Sequence, residues 1–264
     1  MNATLQRWYA FLEKVHVRVH EILAEANAGC TALFESEQHD PRAMSNAWGA
    51  MQRRAEELVT KINDTWHASV DDELGDDQAL RTAERERGEA VAEQLTVAIE
   101  AAKRRLWADS ARVLWQRALA EAPTSLRCTQ CAAPMPVPNA TRATNVPCSH
   151  CGAMVSYEPG TKLRMIEHFA VPALCDEGTW QEWLALRAAE RGRRGHDGDR
   201  IENLRRHEHA QIAHERAWLE LRAQLLPEHA AALATDLRGR LAAFYQSLDR
   251  ERAWIEAGRP RALP

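Results

Sequence analysis

Four of the chain's six cysteines stand in two pairs, Cys128 with Cys131 and Cys148 with Cys151, in the pattern C-x2-C-x16-C-x2-C. A Cys-x-x-Cys turn aims two sulfurs at one point while backbone N–H groups of the turn hydrogen-bond them. Two such turns can therefore close a tetrahedral shell of thiolates around one Zn²⁺. This spacing is typical of zinc sites. Four sulfur ligands leave no open coordination position, so the ion they imply is structural and not catalytic. A redox-sensitive zinc or dithiol switch is an alternative reading of the same thiols, and a catalytic or iron–sulfur centre a more remote one. His150, inside the second pair, reads as a solvent-facing turn residue, because the sulfurs already suffice.

Other residues able to do chemistry are sparser. Glu13, His16 and His20 combine a Glu-x-x-His with a His-x3-His, one turn apart on a helix beside Val15 and Val19. A second pair, His207 and His214, occupies the polar middle of a seam running Leu204, His207, Gln211, His214, Trp218, Leu221 and Leu225. If the two helices pack together, these histidines build a second metal site or a buried polar layer fixing register. The plainer reading is exposed or singly hydrogen-bonded side chains on wide helix faces. Neither Glu208 nor Glu215 completes a His-Glu-x-x-His zinc-protease pattern. Arginines 191, 193, 194, 205 and 206, with Arg187 and Arg200, form a basic cluster interrupted by Glu190, Asp197, Asp199 and Glu202. Arg191, Arg193, Arg194, Arg205 and Arg206 are thus candidate phosphate contacts, although no aromatic residues are interleaved to stack on bases. Cys30 and Cys175 are isolated and read as packed thiols. There is no Gly-rich phosphate loop, nucleophile elbow or locally supported Ser, His and Asp set.

The elements that must position these residues are mostly helices. From Leu5 the apolar residues step by three and four through Trp8, Leu12, Val15, Val19, Ile22 and Ala26, reaching Leu33 after a miss at Gly29, which is a heptad seam. Asp40 followed by Pro41 is an N-cap with proline at the first helical position. It opens a second seam through Met44, Trp48, Met51, Ala55, Leu58 and Ile62, and the two helices should form an antiparallel hairpin. Gly75 suits a helix end, and Asp76 or Asp77 caps a long helix to about Ala122, with Gly88 and Asp109-Ser110 as places to bend. Beyond the cysteines, Thr179 with Glu182 reads as a capping box. Residues 191–199 read as a loop, Asp199 caps a helix to Leu226, and Pro227 opens or kinks a last helix ending at Gly258 and Pro260. No 30- to 45-residue repeat recurs, so a bundle or coiled-coil stalk fits better than a solenoid.

Between the cysteine pairs, PMPVPNATRATNVP has the composition of a short β-hairpin. After Cys151, Val155 and Tyr157 read as a strand, and the alternation from Leu163 to Phe169 predicts further strands. With its two knuckles, this segment resembles the zinc ribbon, a family of small β-modules, over about residues 126–158. Cys128, Cys131, Cys148 and Cys151 match the ribbon's ligand positions, and Gly152 matches the glycine that commonly follows a knuckle. Ala132 departs from that pattern at the first knuckle, where a positive φ favours glycine and a different shape is expected.

With 45% hydrophobic and 27% charged residues, and only 12 Gly and 11 Pro, the composition is that of an ordinary globular chain. Residues 1–122 carry 15 Lys and Arg against 21 Asp and Glu, while residues 178–264 carry 15 against 13, which argues against a phosphate-neutralising surface. Charges interrupt the N-terminus before a signal-peptide core forms, and no run approaches 18 apolar residues. The expected setting is therefore cytoplasmic, without a membrane, where paired thiols stay reduced and bind metal.

The sequence thus predicts a mainly α protein, an elongated helical bundle or set of coiled-coil hairpins with a small inserted β zinc ribbon. Its expected parts are helices over 1–122, the ribbon with a β-hairpin extension over 123–175, and helices over 176–264 that pack with the first set. The expected function is a non-enzymatic zinc-binding scaffold or adaptor contacting protein partners, with self-association favoured by the long seams. Nucleic acid binding through the ribbon and arginines is the alternative, and a metalloenzyme with a His/Glu site in the bundle a second.

Overall fold

Helix caps set the frame of a mainly α structure with a small β insert. The computed structural model describes residues 3–137, 139–194 and 199–257. The chain divides into two compact units, Met1–Ala140 with Thr144–Tyr157, and Thr141–Ala143 with Glu158–Pro264.

In the first unit α1 (Ala3–Ser36), α2 (Pro41–Thr65) and α3 (Gln78–Ala120) pack as a bundle. Asp40 caps α2 by accepting from the Arg42 N–H, and Asp77 caps α3 by accepting from the Leu80 N–H. A π turn, Trp66–Val70, and a 3-10 turn, Asp72–Leu74, carry α2 on to Gly75 at φ +66°. The α1 seam buries Leu5, Trp8, Leu12, Val15, Val19, Ile22 and Ala26, then continues in steps of four through Cys30 and Phe34. Leu33, which the heptad reading placed on the seam, is exposed, because two four-residue steps rotate the buried stripe past it.

At 43 residues α3 is an unbroken helix about 65 Å long. Gly88 does not bend it. A Cβ there would lie 2.7 Å from Cζ2 of the buried Trp8, so the missing side chain is what lets α1 and α3 meet at the indole. Ser110, the other expected bend, is buried and donates to the Met44 sulfur at 3.2 Å.

The β insert follows α3. Strand β1 (Ser125–Arg127) pairs antiparallel with β2 (Pro134–Pro136), and β3 (Thr144–Pro147) with β4 (Met154–Tyr157). The expected hairpin between the cysteine pairs, β2 against β3, is therefore absent among the described residues. Each Cys-x-x-Cys turn instead reverses the chain and serves as the tip of its own hairpin.

In the second unit the expected strands over 163–169 are helical. Thr161–Met165 (α4) and a π turn, Ile166–Ala170, lead into α5 (Val171–Gly178). Leu163, Ile166, Ala170 and Ala173 are buried at helical spacing, and this stripe overrides the alternation of polar and apolar residues. Thr179 closes α5, its hydroxyl donating to the Cys175 carbonyl at 2.8 Å, while its own carbonyl accepts from the Trp183 N–H at 3.0 Å, so it holds the expected N-cap position of α6 with its side chain turned back to α5 instead of boxing with Glu182. Next come α6 (Trp180–Arg194), α7 (Arg200–Leu225, capped by Asp199), a 3-10 turn (Pro227–Ala232) and α8 (Leu233–Glu256). Residues 191–194 thus extend α6 where a loop was expected; the expected last-helix end at Gly258 and Pro260 lies outside the described residues. α7 packs against α5, α6 and α8, which explains why its polar seam is partly buried. Arg142 binds Glu167 at 3.0 Å and Glu228 at 3.5 Å within this unit, and Glu167 also meets His229 at 3.1 Å.

Candidate metal centre

The two knuckles are built alike. After β1, the Ala132 N–H donates to the Cys128 carbonyl at 3.0 Å and the Cys128 N–H to the Ala133 carbonyl at 2.9 Å. After β3, Gly152 donates to Cys148 at 2.9 Å and Cys148 to Ala153 at 2.8 Å. Ala132 sits at φ +57° and Gly152 at φ +75°, so the first knuckle takes the same left-handed turn despite lacking glycine. An alanine there costs about 1–2 kcal/mol of local strain, which the surrounding hydrogen bonds must offset. Met135, Val146 and Val155 bury with Cys128 and Cys148 in a small cluster beneath the sulfurs, while Cys131 and Cys151 reach the surface.

All four sulfurs lie within 4.8 Å of one another, and Cys128–Cys151 and Cys131–Cys148 are each 3.6 Å apart. Sulfurs about 2.3 Å from a tetrahedral Zn²⁺ would be separated by about 3.8 Å, whereas a disulfide needs about 2.05 Å. The arrangement fits a tetrahedral metal ion and not a pair of disulfides.

The electrostatics lead to the same conclusion. Backbone N–H groups of Cys131 and Gln130 donate to the Cys128 sulfur and lower it to about 6, and those of Cys151 and His150 lower Cys148. The Ala133 and Ala153 N–H groups draw on Cys131 and Cys151 in the same sense. Burial and the neighbouring sulfurs outweigh them, so both thiols hold their protons more tightly than usual, Cys151 up to about 12. The first cysteine of each knuckle therefore gives up its proton more readily than the second, and a divalent ion would supply the charge that lets all four act as thiolates. His150 is exposed and contributes its backbone N–H, not its ring.

The four cysteines can thus hold a metal ion in a closed shell. Compared with family models, with curated proteins and with solved structures, the chain matches none.

The remaining candidates do not converge on a site. The His16 and His20 rings lie tilted to each other with centroids 4.6 Å apart in the first unit, and His207 packs edge-on against Phe244 at 5.4 Å in the second, which also holds His214. Among the described residues, the four cysteines are the only group of three or more His, Cys, Asp or Glu whose ligating atoms converge. Several arginines of the basic cluster are already paired: Arg193 with Glu251, and Arg205 and Arg206 with Glu202 at 3.9 and 3.3 Å. Arg191 is exposed, and the Arg194 side chain lies outside the description. Cys30 is buried and donates to the Met44 carbonyl, while burial pushes the Cys175 thiol up to about 12. Both are inert packed thiols. A polar groove beside the α1–α2 turn, containing His39, was not found from the sequence. Its only local sign is Gln38-His39 directly after a helix, where glycine is the usual stop.

Proposed function

We propose that the protein is a non-enzymatic scaffold or adaptor, working in the cytoplasm, whose ribbon is held rigid by one structural Zn²⁺ and contacts protein partners. The observation that carries this reading is the closed shell: four sulfurs within 4.8 Å leave no coordination position for a substrate or water. Contact through the ribbon is supported by Met154 on β4, which is 59% exposed, an unusual place for a large, adaptable apolar side chain. Leu119 on α3, 49% exposed, adds a second apolar point in the same unit. The acidic excess of residues 1–122 and the carboxylate partners of the arginines favour a protein over a nucleic acid. No helix among the described residues is long and apolar enough to cross a membrane.

The test uses full-length protein as bait in its native cell extract, with Cys128→Ser and Met154→Lys compared quantitatively against the wild type. Partners retained by the wild type and lost by both variants support the reading. Retention unaffected by either change, or retardation of RNA or DNA that weakens steeply between about 50 and 200 mM salt, would replace it.

A further inference from the structure

A tetrahedral Zn²⁺ holds its four thiolates at equal separations of about 3.8 Å and so favours no pairing of the sulfurs over another. The fold does favour one. Cys128 approaches Cys151 at 3.6 Å and Cys131 approaches Cys148 at 3.6 Å, so these sulfur–sulfur contacts run between the knuckles.

Within a knuckle the turn works against pairing. The Gln130 N–H donates to the Cys128 sulfur at 3.4 Å, as does that of Cys131, and the His150 and Cys151 N–H groups donate to the Cys148 sulfur. A bond from Cys128 to Cys131, or from Cys148 to Cys151, would pull the first sulfur of each turn off these donors. A bond between knuckles asks only that sulfurs at 3.6 Å close to about 2.05 Å.

Burial adds a second, independent sign. Cys128 and Cys148 are each 3% exposed, while Cys131 and Cys151 are open to solvent. Each contact thus joins an accessible sulfur to an enclosed sulfur of the other knuckle. The diagonal pairing, Cys128 with Cys148 and Cys131 with Cys151, would put both enclosed sulfurs in one pair, away from any solute.

We propose that the four cysteines are also a site of reversible oxidation by a hydroperoxide, which exchanges the ion for two disulfides between the knuckles, Cys128–Cys151 and Cys131–Cys148. This oxidation rests on the proposed metal-holding role of the same sulfurs. The Cys151 thiolate attacks one peroxide oxygen, the O–O bond breaks, a sulfenic acid forms, and the leaving hydroxide takes a proton to become water. The Cys128 thiolate then attacks the Cys151 sulfur; the S–S bond forms and the S–O bond breaks, releasing a second hydroxide that is protonated in turn. Cys131 and Cys148 repeat the sequence. Two molecules of hydrogen peroxide thereby take four electrons from four thiolates and, with four protons, become four waters. The ion is released because no thiolate remains to hold it.

The test is oxidation of the full, zinc-loaded chain with hydrogen peroxide, read by a chromogenic zinc chelator and by mass spectrometry. After alkylation of free thiols, trypsin cuts behind Arg127, Arg142 and Lys162, which puts the knuckles on separate peptides, 128–142 and 143–162. Zinc release is expected to keep step with the appearance of these two peptides joined, fragmentation placing the bonds at Cys128–Cys151 and Cys131–Cys148. Cys30 and Cys175, both buried, should stay reduced, and dithiothreitol with added Zn²⁺ should restore the starting state. Separate peptides with internal bonds, diagonal bonds, bonds between chains, or sulfinic acids overturn the proposal. So do four intact thiols in molecules whose exposed Met154 has become the sulfoxide. Absence of zinc from the reduced protein overturns the metal reading instead, and the bond map still decides the pairing.

Discussion

Stripping the metal with a chelator should unfold the ribbon and spare the helices. Met135, Val146 and Val155 are the buried apolar side chains clustered with the cysteines, Tyr157 at the end of β4 being buried outside that cluster. At about 1.5–3 kcal/mol each they contribute about 5–9 kcal/mol. Structural zinc in small peptides contributes about 10–16 kcal/mol, so the ion outweighs the whole apolar cluster. The two-stranded hairpins add little by themselves, since isolated hairpins are marginal in water. Hydrogen exchange read by mass spectrometry should therefore show residues 125–157 losing protection on chelation and regaining it with one equivalent of Zn²⁺, while α1, α2 and α3 keep theirs. Far-UV circular dichroism should change little, because the helices dominate it. Cys131→Ser should reproduce the chelated state without chelator. Full protection of 125–157 in metal-free protein would refute this reasoning, since the apolar cluster would then suffice.

Three further outcomes follow from the geometry. Gly88→Ala gains about 1 kcal/mol of helix propensity, but its Cβ would meet Trp8 at 2.7 Å, and Trp8 is hemmed in by Phe11 and Trp66. Overpacking costs about 1–3 kcal/mol, so a net loss of about 0–2 kcal/mol is expected in urea unfolding. Gly152→Ala should lose about 1 kcal/mol while Ala132→Gly gains about 0.5 kcal/mol, measured as thermal unfolding of the zinc-loaded ribbon, because both positions hold positive φ. Asp40 is held below the usual carboxylate range by the Arg42 side chain and backbone N–H. Its folded pKa lies under its unfolded one, so its stabilisation is complete above about pH 4 and is lost as pH falls through the folded value. Asp40→Asn, which retains a capping oxygen, should flatten that acid limb and change neutral-pH stability little, whereas Asp40→Ala should cost about 1 kcal/mol at pH 7. Melting at pH 3 and pH 7 checks both.

Local chemistry was legible in the sequence where a single residue decides the outcome. Asp40, Asp77 and Asp199 each cap the helix they were expected to open, because a short carboxylate beside free N–H groups needs no tertiary context. The four cysteines converge for the same reason, their turns being closed by neighbours in sequence. Expectations failed where two periodicities competed over a short span. Leu163, Met165, Glu167 and Phe169 alternate like a strand, while Leu163, Ile166, Ala170 and Ala173 step like a helix, and only packing in the second unit decides between them. Strand pairing failed for a different reason: composition identified β-formers between the cysteine pairs but carried no information on which neighbour each would choose. The groove beside His39 was invisible because its other wall is α3, brought alongside from a distant part of the chain.

Each knuckle closes its own hairpin, and among the described residues no ladder bond joins the two sheets. With one ion at the sulfurs the insert would behave mechanically as two clasps held by one rivet. Pulled apart, it should yield at the sulfurs before either ladder shears, and its stiffness should depend on the cell's free zinc more than on temperature.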